Sequence, residues 1–198
     1  NINYNLTPGL KASVTLNTDF AETEVDDRQI NLTRFAIRFP EKRDFFLEGA
    51  NIYQFAPRSG VYPYFSRKIG LQSGNPIPIL YGGRIIGKIG KVEIAAQQVK
   101  TRKTDLVNSE DFSVLRLKQN FLKESSIGIL YTRRHTSNGE QLTEPLQDRN
   151  TFGIDLTLNT SSFLSNQNLQ FQAFAIMHNP ESPNDLNNNM WDRSARGL

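Results

Sequence analysis

Cysteine is absent from the 198 residues, which excludes disulfide staples, thiol nucleophiles and zinc sites built on thiolates. No run approaches the roughly 18 consecutive apolar residues of a transmembrane helix. A spanning β-strand alternates and builds no hydropathy peak, so a mean hydropathy of −0.49 suits a soluble β domain and a porin-like barrel alike. A charge of one sign is lacking too, since 23 basic and 20 acidic side chains leave a net charge of +3. No basic block with interleaved aromatics stands out, so no nucleic-acid partner is expected. The chain also has no initiator Met and no start or stop signal. It is expected to be a single fragment, residues 1–198, of a larger β-barrel domain.

What the sequence does contain is alternation with a period of two. Leu10, Ala12, Val14 and Leu16 alternate with Lys11, Ser13, Thr15 and Asn17. Asp19 to Asp27 is acidic and is expected as an edge strand or a lumen-facing segment, and alternation resumes from Ile30 to Phe39. Residues 50–78 hold Pro57, Gly60, Pro63, Gly70, Gly74, Pro76 and Pro78, the composition of a long loop with short extended pieces. From Leu80 onward the pattern is regular. Tyr81, Gly83, Ile85, Gly87 and Ile89 share one face, with Gly82, Arg84 and Lys88 opposite and Ile86 an exception. Gly90 then turns the chain into Val92, Ile94 and Ala96. Further strands are expected over Phe112 to Gln119, Ser126 to Arg134, Thr151 to Asn159 and Asn168 to Met177. Their apolar face holds Ile127, Ile129, Tyr131, Phe152, Ile154 and Phe171, and the other face is small or polar.

The connections alternate between short turns and long polar loops, as in an up-and-down barrel with turns at one end and loops at the other. The fold class expected is therefore all-β, an antiparallel up-and-down meander forming part of a transmembrane β-barrel. Residues 1–78 would supply N-terminal strands, a corner and a long loop, and residues 79–198 regular β-hairpins. In the barrel reading Arg116 and Lys118 must face the lumen, and Phe121, Phe163 and other aromatics near strand ends are candidates for interfacial girdles.

One run breaks the pattern: Phe35-Ala36-Ile37-Arg38-Phe39-Pro40-Glu41-Lys42-Arg43-Asp44-Phe45-Phe46-Leu47-Glu48-Gly49. Pro40 ends any element arriving at Phe39. Phe45, Phe46 and Leu47 must be buried, with the neighbouring charges paired at the rim, as in a packed hinge. The run, with Phe65-Ser66-Arg67-Lys68-Ile69-Gly70 after it, Leu6-Thr7-Pro8 before it and Pro78-Ile79-Leu80-Tyr81-Gly82-Gly83-Arg84 beyond, resembles the signature of domain-of-unknown-function family 5916. Thr18, Ala21-Glu22 and Lys68 are modest departures from it. The resemblance implies an outer-membrane β-barrel of Gram-negative cells with no settled activity. It also implies an N-terminal domain similar to family 9 carbohydrate-binding modules as a partner within the same parent chain, and outer-membrane lipid around the barrel.

The candidate chemistry is sparse. Asp19, Glu22, Glu24, Asp26, Asp27, Glu41 and Glu48 could supply the two carboxyl groups of a glycoside hydrolase or oxygen ligands for calcium. Arg28, Arg34, Arg38, Lys42 and Arg43 interleave with them at similar density, which favours ion pairing in a polar interior, and no EF-hand spacing is present. His135 and His178 stand at strand ends without convergent partners, so no metal or cofactor is expected. There is no Gly-x-Ser-x-Gly elbow, and Gly82, Gly83 and Gly87 suit a closely packed strand instead. Trp191, Arg67 and Arg84 are the candidates for contact with a glycan ligand. Phe39, Glu41, Arg43, Phe45 and Phe46 are the candidates for an inward-folded constriction or a docking interface. The function expected is an outer-membrane barrel segment for binding, passage or anchoring of a glycan or nutrient, without catalysis. The alternative is a secreted or periplasmic β-rich hydrolase whose acidic site includes Glu41 and Glu48.

Overall fold

The computed structural model describes residues 2–18, 40–72, 75–105, 107–137, 148–164 and 167–179. Its strands are β1 (Ile2–Thr7), β2 (Leu10–Thr18), the two-residue β3 (Leu71–Gln72) and β4 (Asn75–Pro76), β5 (Ile79–Ile89), β6 (Val92–Thr101), β7 (Glu110–Phe121), β8 (Ser125–Thr136), β9 (Asp148–Phe163) and β10 (Gln167–Asn179). One turn of helix, α1 (Asp44–Leu47), and a 3-10 turn at Ser66–Lys68 lie between β2 and β3. Eight strands form a single antiparallel meander in the order β1-β2-β5-β6-β7-β8-β9-β10, and β3 pairs only with β4. The sheet is open rather than closed into a barrel: β1 and β10 are its two edges.

The register sorts side chains into two faces, because directly paired residues point the same way. Val14, Gly83, Gln98, Ser113, Arg133 and Asn150 make one outward row, and Ala12, Ile85, Ala96, Leu115, Tyr131, Phe152 and Met177 make the next. Below these run Ile94, Leu117, Ile129, Ile154 and Ala175. Large side chains on this face are exposed in every strand of this sheet but β6, among them Tyr4, Leu16, Ile85, Leu115, Ile129, Phe152 and Phe171. The strands extend past their sequence cores at one or both ends, and β1 joins ahead of the first expected strand. Asp19 to Phe39, read from the sequence as two extended pieces, lies outside the described residues.

The other face is polar and buried. Ser13, Thr15, Arg84, Gln97, Thr101, Glu110, Arg116 and Asp155 all point into it, and Lys118 shares this face with Arg116. Residues 40–72 and Ile77 cover it, contributing Phe45, Phe46, Tyr53, Phe55, Ile69 and Ile77 to the core. Ile86, the exception to its strand's alternation, points inward and packs with Tyr53 and Phe55. An apolar residue on the polar face is explained by the segment that covers it.

Connections segregate by end. Residues 8–9, 90–91, 122–124 and 164–166 turn the chain at one end, whereas 19–78, 102–109 and 137–147 join strands at the other. The signature run is not a hinge between two sheets. It enters α1, whose backbone is closed by Phe46 N–H and Leu47 N–H donating to Arg43 O at 2.9 and 3.1 Å, and leaves through Gly49 at φ +72°. That left-handed residue just past the helix end is one that glycine adopts without strain, and a side chain there would press on Ile86, 2.8 Å from an added Cβ.

Candidate functional site

Three arginines organise the covered face. Arg43 belongs to the covering segment and holds it together. Its Nε and Nη2 donate to the two oxygens of Glu41, both at 2.7 Å, and Nη1 and Nη2 donate to the carbonyls of Ile69 and Ser66 at 2.6 and 2.8 Å. Ser66 Oγ donates to Glu41 at 2.7 Å, and the guanidinium lies 4.1 Å from the Phe46 ring centre. A fork of planar donors meets carboxylate and carbonyls at once, which lysine cannot imitate. Burial of Glu41 by itself would raise its pKa, but the hydrogen bonds from Arg43 and Ser66 and the Arg43 charge outweigh it and hold the carboxyl below its ordinary range.

Arg84, on β5, fastens the segment to the sheet. It donates to Phe45 O, to Glu48 O at 3.0 Å and to the Glu48 carboxylate, with the Phe45 ring 5.0 Å away. Lys11 Nζ completes the contact at 2.6 Å from Glu48. Glu48 is also held below the usual carboxylate range, first by the Lys11 hydrogen bond and further by Arg84. Phe45 reaches the sheet because Gly82 leaves room: an added Cβ there would stand 3.2 Å from the ring.

The third arginine, Arg116 on β7, crosses over β8 to Asp155 on β9. Gly128 lies directly beside Asp155 in register, and a Cβ on it would stand 2.6 Å from the guanidinium, so only glycine leaves the passage open. Arg116 donates to both Asp155 oxygens, Nη2 at 2.9 Å. Ala56 N–H donates to Asp155 at 3.4 Å. Phe55 rests over Arg116 at 5.6 Å, over Gly153 and edge-on to Phe174 at 6.0 Å. Between these anchors Tyr53 and Tyr64 pack at 4.9 Å, and burial raises both phenol pKa values so that they stay neutral. Ser13, Arg84 and Gln97 form one row across β2, β5 and β6.

This geometry places the sequence candidates as follows. Glu41, Arg43, Phe45 and Phe46 come together, and the surface they form faces this chain's own sheet. Arg84 and Arg67 are both buried, Arg84 in the grip of Phe45 and Glu48. Trp191 and Phe39 lie outside the described residues. Glu41 and Glu48 are each tied to a different arginine, and both are depressed in pKa, the reverse of what a glycosidase acid needs. His135 stands beside Asp148 at the exposed rim, 3.6 Å away, and His178 meets Thr151 at 2.8 Å. Among the described residues no cluster of three or more potential metal ligands occurs. Missed by sequence reasoning were Phe55, Asp155 and the glycines at 128 and 153. The small, polar face of β8 and β9 was the one available signal, and it did not reveal what crosses it.

Residues 1–172, which hold the sheet as far as the first part of β10, the covering segment and all three anchors, match the family described as "Domain of unknown function (DUF5916)". The chain belongs to the DUF5916 family. No curated protein and no solved structure matches it. In this DUF5916 chain the described residues bring together carboxylates neutralised by arginine, phenols kept neutral, and an aromatic segment clamped against the polar face of the sheet. Such an arrangement holds the covering segment against the sheet.

Proposed function

We propose that the chain is a segment of an outer-membrane β-barrel, with residues 40–77 folded inward as a constriction against the lumen wall. It serves binding or passage of a glycan or similar nutrient, or anchoring, without catalysis by the residues described. The observation that carries this reading is the outward belt: large apolar side chains exposed on one face of the sheet, backed by a face of buried arginines and carboxylates. Water gives no reason to expose so large an apolar surface, whereas lipid does.

Further features support it. Each long strand exceeds the roughly 9 to 11 residues of a tilted spanning strand, or falls within that range. Tyr131 and Phe152 lie one row below Arg133 and Asn150, and Tyr81 lies in the next outward row with Lys100, Asp111, His135 and Asp148; aromatics near the charged end of the belt suit an interfacial girdle. The free edges of β1 and β10 have to pair with further strands in lipid, where unpaired backbone is intolerable. A glycan ligand and a carbohydrate-binding-like neighbour domain rest on the family resemblance.

The test is heat-modifiability of the full-length protein extracted from a membrane fraction. Faster migration of the unboiled sample on a detergent gel is the expected result, followed by glycan-binding and conductance assays. A soluble protein with no shift would overturn the reading.

A further inference from the structure

The turn end of the sheet carries a repeated feature that an apolar belt does not itself require. β7 leaves the sheet through Phe121-Leu122 and β9 through Phe163-Leu164. In both turns the leucine takes a left-handed backbone, φ +52° and +44°, a region that large apolar residues rarely enter. Turn positions of this kind normally hold Gly, Asn or Asp. Both leucines are also exposed, 78% and 74%, so in water neither backbone nor burial favours them.

The phenylalanines point the same way as the belt. Phe121 continues the parity of Leu115 and Leu117 and pairs with Ser125. The register shift between Gln167 and Leu169 brings Phe163, paired with Gln167, onto the outer side, where an unbroken ladder would turn it inward. The two hairpins adjoin through the β8–β9 pairing, two strand spacings or roughly 10 Å apart across the sheet, and β9 runs on past the level of Ser125 to Phe163, so the Phe163-Leu164 turn projects beyond the Phe121-Leu122 turn along the strand direction. The other turns on this rim are entered by the exposed Leu6 and Ile89. The opposite rim ends differently, in two adjacent outward rows where Lys100 bonds Asp111 and Arg133 bonds Asp148. At the turn end the belt runs onto the tips with no charged row between.

We propose that the Phe121-Leu122 and Phe163-Leu164 turns form a lipid-seated ledge. Their side chains enter the headgroup–acyl boundary of the adjoining leaflet, Lys123 meets its phosphates, and the ledge sets the depth at which the sheet sits. Continuity with the belt and the lack of an intervening charged row identify phospholipid as the occupant. The inference rests on the barrel reading and goes beyond it, because a barrel with polar turns would span equally well.

The experiment exploits the absence of cysteine in this chain. Leu122→Cys, Leu164→Cys, Ile129→Cys in the belt and Lys103→Cys at the loop end are each labelled with an NBD fluorophore. The background is the full-length protein freed of other cysteines and reconstituted into phosphatidylethanolamine–phosphatidylglycerol vesicles. The two turn labels are expected to be quenched several-fold more by lipid-borne nitroxide near the headgroup than by aqueous iodide, with the Lys103→Cys label showing the reverse. Turn labels that behave like Lys103→Cys, or that are shielded from both quenchers as under a protein partner, overturn the ledge. If Ile129→Cys is quenched by lipid nitroxide in that same experiment, the belt stands and only the ledge falls. If Ile129→Cys is itself open to iodide, the barrel reading fails and the ledge with it.

Discussion

Replacing Asp155 by alanine tests whether the covered face is a structural clamp. Arg116 is 1% exposed and Asp155 5%, so the substitution leaves a guanidinium buried without its counter-charge and Ala56 N–H without its acceptor. Breaking a buried pair from one side costs about 3 to 5 kcal/mol, whereas an exposed pair contributes about 0 to 1 kcal/mol. Arg133 and Asp148, 3.4 Å apart with side chains 43% and 38% exposed, supply the control within the same sheet. Asp155→Ala should therefore lower the unfolding free energy of the detergent-folded full-length protein by about 3 to 5 kcal/mol, and Asp148→Ala by no more than about 1 kcal/mol. Urea titration read by gel mobility measures both, and limited proteolysis near Ala56 reports whether the covering segment has loosened. Pairing Arg116→Met with Asp155→Leu removes both charges and should recover most of the loss, because desolvation of the ions is removed together with their attraction. Equal effects of Asp155→Ala and Asp148→Ala, or a double variant no better than the single, would refute the clamp.

Other consequences follow from the same geometry. Gly153→Ala places a Cβ 2.7 Å from the Phe55 ring and should cost about 1 to 3 kcal/mol by overpacking, partly relieved by adding Phe55→Leu in the same titration. Glu41 has a folded-state pKa below its reference value of 4.5. Its contribution is thus present above the unfolded pKa and fades as pH falls through the lower folded pKa; a pH series of proteolysis rates across residues 40–72 should show loosening in acid that Glu41→Gln largely abolishes. Ile129→Arg in the belt should destabilise the folded state by about 2 to 4 kcal/mol at mid-bilayer depth, read as a smaller heat-modifiable fraction. Thr132→Arg on the inner face should leave that fraction nearly unchanged, and equal loss from both would deny that the two faces meet different media.

Much of the fold was legible in the residues. Strand existence and facing in β2 and β5 to β10 followed from alternation, since a strand's side chains repeat every two residues and one face was consistently apolar. The paired charges around Phe45 and Phe46 were also foreseeable, because adjacent apolar residues flanked by opposite charges have few ways to be buried; Leu47, expected to be buried with them, is exposed instead, since one turn of helix turns only part of the run toward the sheet. The destination of that run was not. Nothing local to Pro40–Gly49 states that it folds back over β5 rather than forming a corner, and Arg84 finds Phe45 and Glu48 from more than thirty positions away.

By itself, then, the sequence determined the pleated alternation, the direction each strand faces and the segregation of turn from loop, all of which are short-range consequences of periodicity and turn chemistry. Tertiary structure alone decided which arginine meets which carboxylate, why Gly82, Gly128 and Gly153 interrupt the inner face, and what covers it. Those are steric and electrostatic fits between segments distant in the chain, and only packing in three dimensions brings their atoms close enough to choose.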